Sequence, residues 1–189
     1  MIEPFMMAVS GRPDPAVYTC RTPIKFKDPN RAISLIPVSS EILSGDRPFY
    51  TVEQAKADDT IWKSAIDNTA QIGLRASTEN DLISIRSTVD AKTPGAAVLL
   101  LPGKNRRIRL FQALAENLRS KGKPAPQDCW FVFITPDEIL LADKSEYPLT
   151  TLKKTVRSIR NQLESKKPGV LLSMEVLEYD AETDTYREV

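Results

Sequence analysis

Histidine is absent from this 189-residue chain, and cysteine is nearly so. Without histidine there is no imidazole for a catalytic triad, for a metal site or for a charge switch near neutral pH. Cys20 and Cys129 lie far apart and form no Cys-X-X-Cys pair, which argues against a thiolate zinc site. We therefore expect no metal and no cofactor. We interpret both thiols as buried and reduced, with a disulfide or a reactive thiol as the alternatives.

The chain also lacks a charge bias and a long hydrophobic run. Lys and Arg number 26 against 25 Asp and Glu, which leaves a formal net charge of +1. This balance argues against a nucleic-acid partner. No run approaches the roughly 20 apolar residues of a membrane-spanning helix, and the first residues do not have the pattern of a signal peptide. We expect a cytoplasmic protein that does not associate with membranes.

Proline is concentrated near the start, since seven of the 14 prolines lie in residues 1–50. Proline fixes φ and removes a backbone donor, which excludes long regular elements there. We predict two short edge strands, at 17–21 and 32–38. The expected organisation is a proline-rich arm over 1–50, followed by a single α/β domain over 51–189.

The stretch from 96 to 134 is the most informative about the fold. Residues 96–101 form an apolar run that ends at Pro102-Gly103, and we interpret this run as a buried strand. Asn105 is a candidate N-cap for the next segment, which has the spacing of an amphipathic helix. Its predicted buried stripe is Ile108, Phe111, Leu114, Ala115 and Leu118. Residues 129–134 (CWFVFI) predict a second buried strand, so a helix joins two strands as in a parallel β-α-β unit.

The rest of the domain repeats these signals. Helical spacing recurs at 51–72 and 149–166, a half-buried strand is predicted at 82–89, and 176–189 has the pattern of a terminal β-hairpin. The predicted fold class is α/β (α+β): a mixed β-sheet with two or three helices packed on one face, β-α-β units and a C-terminal β-hairpin.

Two segments resemble the repeats of the tautomerase superfamily, the group around 4-oxalocrotonate tautomerase and its two-repeat relatives. They are PGKNRRIRLFQALAENLRSKGKPAPQDCWFVFI and, near the start, PAVYTCRTP. The resemblance covers residues 15–135 at most, and it implies a two-repeat β-α-β fold and activity on small carboxylates. The family uses the amine of an N-terminal proline. Because Met1 begins this sequence and Pro15 is internal, we expect a degenerate or divergent member and assign no catalytic residue.

The family holds substrate carboxylates with arginines, whose planar fork suits bidentate binding. The resemblance therefore makes substrate-binding candidates of Arg86, Arg106, Arg107 and Arg109. The alternative for each is an ordinary solvated arginine. The weaker candidates for acid–base or metal chemistry are the carboxylates of Asp58, Asp59, Asp137, Glu138 and Asp143. The alternative for these is an ordinary place at a helix start or in a turn, where carboxylates are common.

Two functional hypotheses follow. The first is a tautomerase-like enzyme that acts on a small carboxylate. The second is a non-catalytic interaction or assembly protein, in which the proline-rich arm and the terminal hairpin reach neighbouring molecules. Under either we expect a homo-oligomer whose partner is a small carboxylate or a protein. The basic outer side of the 149–166 helix is interpreted as a solvated face, since no aromatic residues interleave with its lysines and arginines.

Overall fold

The computed structural model describes residues 5–10, 20–39, 60–79, 81–88, 95–168 and 171–189. Its strands, in chain order, are Phe5–Ser10 (β1), Cys20–Arg21 (β2), Ile24–Lys25 (β3), Ser34–Ser39 (β4), Leu74–Glu79 (β5), Leu82–Ser87 (β6), Cys129–Phe133 (β7), Ile139–Asp143 (β8), Leu177–Asp180 (β9) and Thr185–Glu188 (β10). Its α-helices are Thr60–Ala70 (α1), Gly95–Leu100 (α2), Lys104–Arg119 (α3) and Leu149–Lys166 (α4).

A seven-stranded mixed sheet has the order β3-β10-β9-β7-β8-β6-β5, and a smaller sheet has the order β1-β4-β2. In the large sheet β10 pairs with β3 in parallel, and the other described pairs are antiparallel. The strands β9 and β10 form the predicted C-terminal hairpin, and both lie inside the sheet. The predicted mixed sheet and terminal hairpin are confirmed.

The two faces of the large sheet bury separate apolar clusters because side chains alternate along each strand. Phe131 and Phe133 of β7 face the cluster that contains buried residues of α1, α2 and α3. Val132 of β7 faces the cluster that contains Leu152 and Val156 of α4. Three helices therefore cover one face, and α4 covers the other.

Two connections in the large sheet join strands that have one other strand between them. The path from β6 to β7 runs through α2 and α3, and β8 lies between the two strands it joins. The path from β8 to β9 runs through α4, with β7 in between. Because each pair flanks a common antiparallel neighbour, its members run in the same direction. The β-α-β units are thus split, and the direct parallel pairing expected around the 104–119 helix is wrong.

The run at 96–101 is not a strand. Residues Gly95–Leu100 form α2, and all six are buried. A short apolar run between turn residues has the same pattern in a buried strand and a buried helix, and alanine and leucine favour the helix. Gly95 fits tightly, since a β-carbon there would lie 3.3 Å from Ile139 Cδ1 and 3.4 Å from the Ser87 amide nitrogen.

The helix α3 lies where it was predicted, but its start and the first position of its buried stripe differ. Its N-cap is Gly103, at φ 116°, rather than Asn105. Phe111, Leu114 and Leu118 are buried as predicted. Ile108, predicted to be buried, is 42% exposed, whereas Arg107 is only 2% exposed. Arg107 takes the first buried position because polar partners inside the protein bind its side chain.

The described part of the arm packs on this chain. Ile33, just before β4, and Leu35, within β4, belong to the same buried cluster as residues of α1–α3. β3 forms an outer edge of the large sheet beside β10. Pro37 of β4 lies opposite Met7 of β1. β2 pairs only with Ser34 and Leu35 of β4, so the missing amide of Pro37 removes no hydrogen bond to β2. Residues 17–19 and 51–59 lie outside the described ranges.

Candidate functional site

The four arginines proposed from the sequence do not converge. Arg106, Arg107 and Arg109 lie on α3, on one side of the large sheet. Arg86 alternates with Ile83 and Ile85 along β6, and these two side chains face the α1–α3 cluster. Arg86 therefore projects to the opposite face, where α4 packs.

Arg107 is a structural residue. Its Nε donates to Asp184 Oδ1 at 2.8 Å, and its guanidinium also donates to the Leu101 carbonyl at 2.7 Å and to Tyr186 Oη at 3.4 Å. Tyr179 Oη donates to the same Asp184 oxygen at 2.7 Å. The arginine thus connects α3 to the terminal hairpin, and its donors are not free to bind a substrate.

The two tyrosines of this network are held in the neutral form. Burial is the main reason that the pKa of Tyr186 rises to about 12. Burial also raises the pKa of Tyr179, and its hydrogen bond to Asp184 adds to the rise. Neither phenol ionises near neutral pH, so neither tyrosine supplies a base.

The other two arginines of α3, Arg106 and Arg109, line one small cleft of about 320 Å³, on the opposite side of the sheet from Arg86. Arg106 donates from a guanidinium nitrogen to the Pro102 carbonyl at 2.7 Å, within its own turn. Arg109 is exposed and makes no hydrogen bond or ion pair with a described residue. These contacts leave Arg86 as the candidate to follow.

Arg86 has a basic neighbour that the sequence did not single out. In the β5–β6 hairpin Arg75 lies directly opposite Arg86. Side chains that are directly opposite on antiparallel strands have β-carbons about 4.5–5.5 Å apart. Two positively charged side chains therefore lie side by side on the sheet face. Their repulsion destabilises the hairpin unless an anion binds between them.

The two arginines border a cleft between the β5 edge of the sheet and α4, about 670 Å³ in volume. We name it the edge cleft. Its lining residues are Arg75, Ser77, Glu79, Leu82, Ser84, Arg86, Glu138, Leu140, Tyr147, Thr155 and Ile159. The apolar members belong to or pack on the cluster under α4. The volume lies in the range of about 300–1,000 Å³ that is usual for small-molecule sites.

The polar groups of the edge cleft are mostly unengaged. Neither Arg75 nor Arg86 makes a hydrogen bond or ion pair with any residue that the structure describes. The buried Oγ of Ser84 has no hydrogen-bond partner within the same ranges. Tyr147 Oη and Thr155 Oγ1, 3.1 Å apart, are bonded to each other. The cleft therefore offers two cations and a hydroxyl to a ligand, beside the carboxylates of Glu79 and Glu138.

Another cleft, about 620 Å³ in volume, lies between α3 and the turn after β9. The half-exposed Ile108 and the rings of Phe111 and Tyr179 line it, together with scattered charged residues. Lys104 at one end donates to the Glu182 carbonyl at 3.4 Å. No pair of like charges converges there as at the edge cleft.

Arg75 and β5 were missed because LRASTE has a weak strand pattern. A signal was present, since Asn80-Asp81 separates two short runs and such pairs favour two-residue hairpin turns. Asp81 has φ 66°, the left-handed conformation that these turns require. The register, with Glu79 opposite Leu82, is the one such a turn produces.

The chain matches no family model, no curated protein and no solved structure. Among the described helices, none has the length and apolar character needed to cross a membrane. Within the same residues, no three carboxylate, thiol or imidazole groups come together as metal ligands would.

Proposed function

We propose that this protein is a binding module that takes a carboxylate-bearing molecule into the edge cleft. The observation that carries the proposal is the pair of arginines, Arg75 and Arg86, directly opposite each other with no acidic partner among the described residues. A carboxylate between them relieves their repulsion and accepts charge-assisted hydrogen bonds from both. The expected ligand is a small carboxylate with an apolar body.

The rest of the cleft fits such a ligand. Leu82, Leu140 and Ile159 supply an apolar wall for the body of the molecule. Ser84 Oγ supplies a hydrogen bond that no described residue satisfies. Glu79 and Glu138 also line the cleft, and they disfavour ligands that carry further negative charge near them.

The described parts of the arm and of the terminal hairpin, which were the other surfaces expected to bind partners, pack in part within this chain. Tyr186 of the terminal hairpin is fully buried, as is Leu35 of the arm. A binding role based on the cleft is therefore better supported than one based on the arm or the hairpin. A homo-oligomeric state and a cytoplasmic location stay predictions, to be tested by native mass and by imaging of the tagged chain.

A tautomerase-like enzyme for small carboxylates is the second candidate, because Glu138 lines the same cleft as the two arginines. In this hypothesis the carboxylate of Glu138 removes a proton next to the carbonyl of the bound keto acid. Its test is the enol–keto conversion of an aryl pyruvate. Conversion by the wild-type chain that Glu138→Gln abolishes without weakening binding supports the enzyme; conversion at the buffer rate rejects it.

Isothermal titration with an aryl pyruvate tests the binding proposal. We expect saturable one-site binding of the aryl pyruvate. The matching arylacetone, in which a methyl group replaces the carboxylate, should bind much more weakly. Arg75→Ala and Arg86→Ala should each weaken binding at least tenfold, because a hydrogen bond to a charged group contributes about 1.5–3 kcal/mol.

Arg109→Ala is the matched control, since Arg109 is equally exposed but lies on α3, outside the cleft. It should bind with wild-type affinity. Unchanged affinity in Arg75→Ala and Arg86→Ala would contradict the proposal. Equal loss in all three variants would show that only overall charge matters.

A further inference from the structure

The helix α4 carries a local excess of positive charge that the net charge of the chain conceals. Between 149 and 167 there are six basic residues and one acidic residue, Glu164. The basic residues are Lys153, Lys154, Arg157, Arg160, Lys166 and Lys167. Residues 171–189 hold the compensating acids, so the charges are separated along the fold.

Four of the six acidic groups in residues 171–189 form ion pairs with described residues. Glu175 pairs with Arg31, Glu178 with Lys144, and Asp184 with Arg107. On α4, by contrast, Arg160 pairs with Glu164 at 3.0 Å and Lys153 donates to the Val189 carbonyl at 2.8 Å. The remaining four basic side chains have no partner among the described residues, namely Lys154, Arg157, Lys166 and Lys167.

The exposed residues opposite the buried stripe of α4 form its outer face, which consists of Lys154, Arg157, Ser158, Asn161 and Ser165. These side chains recur at three- and four-residue spacing, so they lie along one line on the helix surface. Their chemistry is cationic and amide or hydroxyl. The exposed Glu164, three residues after Asn161, flanks this face and pairs with Arg160. Lys154 and Arg157, three residues apart, repel each other unless an anion is bound.

We propose that the outer face of α4 docks in the major groove of duplex DNA. At about 1.5 Å per residue an 18-residue helix is long enough to follow the groove, which is about 12 Å wide and admits an α-helix. Lys154 and Arg157 bind phosphates, while Asn161 and Ser158 have the donors and acceptors that read base edges. The apolar side of α4 is buried against the sheet, so it has no face with which to enter a lipid bilayer.

Fluorescence anisotropy of a labelled 20-base-pair duplex against the full chain tests the proposal. If Lys154 and Arg157 each neutralise one phosphate, the slope of log affinity on log salt is roughly −2, a loss of roughly 12-fold between 50 and 200 mM. Lys154→Gln combined with Arg157→Gln should weaken binding at 50 mM salt at least tenfold and bring the slope near zero.

Arg119→Gln combined with Lys123→Gln is the matched control, because it removes the same charge at the end of α3 on the opposite sheet face. It should bind the duplex almost as the wild type does. Equal weakening by both double variants, or no binding at 50 mM salt, would overturn the proposal. Tighter binding of the single strand or of anionic vesicles than of the duplex would overturn it also. A melting temperature within 2 °C of the wild type confirms that each variant is folded.

Discussion

The Nε atom of Arg107 lies 2.8 Å from Asp184 Oδ1, and this ion pair joins the middle of the chain to its last hairpin. The arginine side chain is 1% exposed and the aspartate 16%. A charge that is buried to this degree is stabilising only while its partners remain in place.

We predict that Asp184→Ala lowers the free energy of unfolding by about 3 kcal/mol, because it leaves the buried Arg107 without its counter-ion. Arg187→Ala, which removes an arginine that is half exposed and pairs with Glu178 at 3.0 Å, should cost less than about 1 kcal/mol. Urea unfolding of both variants measures the difference. Equal costs would show that burial does not set the strength of these pairs.

Alkaline pH should destabilise the fold through Tyr186. A solvent-exposed tyrosine phenol ionises with a pKa of 10.0, and burial raises the pKa of Tyr186 in the folded protein to about 12. Between these values the unfolded chain releases the proton while the folded chain keeps it, so the free energy of unfolding falls by up to about 1.4 kcal/mol per pH unit. Below about pH 10 this contribution is complete.

Urea unfolding at pH 9, 10 and 11 provides the measurement, and Tyr186→Phe is its control. The variant should show a shallower fall in stability over this interval. An identical pH dependence in the two proteins would show that Tyr186 does not control it.

Leu99 and Ile108 were both predicted to be buried, but only Leu99 lies in the core. Leu99 in α2 is fully buried, so Leu99→Asp should prevent cooperative folding because burying the unpaired charge costs several kcal/mol. Ile108→Asp should fold, since that side chain is 42% exposed. Thermal melts followed by circular dichroism check both. A cooperative transition in Leu99→Asp would remove α2 from the core.

Arg75 and Arg86 lie opposite each other in the β5–β6 hairpin. We expect their repulsion to lower the stability of the free protein while it favours the binding of an anion. Arg75→Gln should raise the free energy of unfolding by about 0.2–1 kcal/mol in low salt, by removing like-charge repulsion across the strands. Arg75→Lys retains the charge and should not. The gain should shrink in 0.5 M salt, where screening is strong; a gain of the same size in both salts would have another cause.

The fold class followed from the sequence because the aromatic and β-branched run of β7 indicates a buried strand, and because the helical spacing in α3 and α4 is long and regular. The state of Gly95–Leu100 did not, since a short, wholly buried run has no periodicity to distinguish helix from strand. The burial of Arg107 was hidden as well. It depends on Asp184, which is 77 residues away, and no local pattern in α3 indicates that partner.

The candidate site was predicted only in part. Arg86 was named from a resemblance, and its alternation with Ile83 and Ile85 was visible. Arg75 became significant only through the register of β5 and β6, which brings it opposite Arg86. Likewise, the basic side of α4 was interpreted as a solvated face because no aromatic residues interleave with it. That four of its six basic side chains have no partner among the described residues is a property of the folded surface.

Nitrogen-15 NMR of the arginine side chains during titration with an aryl pyruvate tests the carboxylate-binding cleft most directly. If a carboxylate binds between Arg75 and Arg86, their Nε–Hε signals, assigned by single Arg→Lys variants, should shift together and saturate at one ligand per chain. The signals of Arg107 and Arg109 should stay in place. Shifts of Arg75 and Arg86 that are absent, or no larger than that of Arg109, would contradict the account.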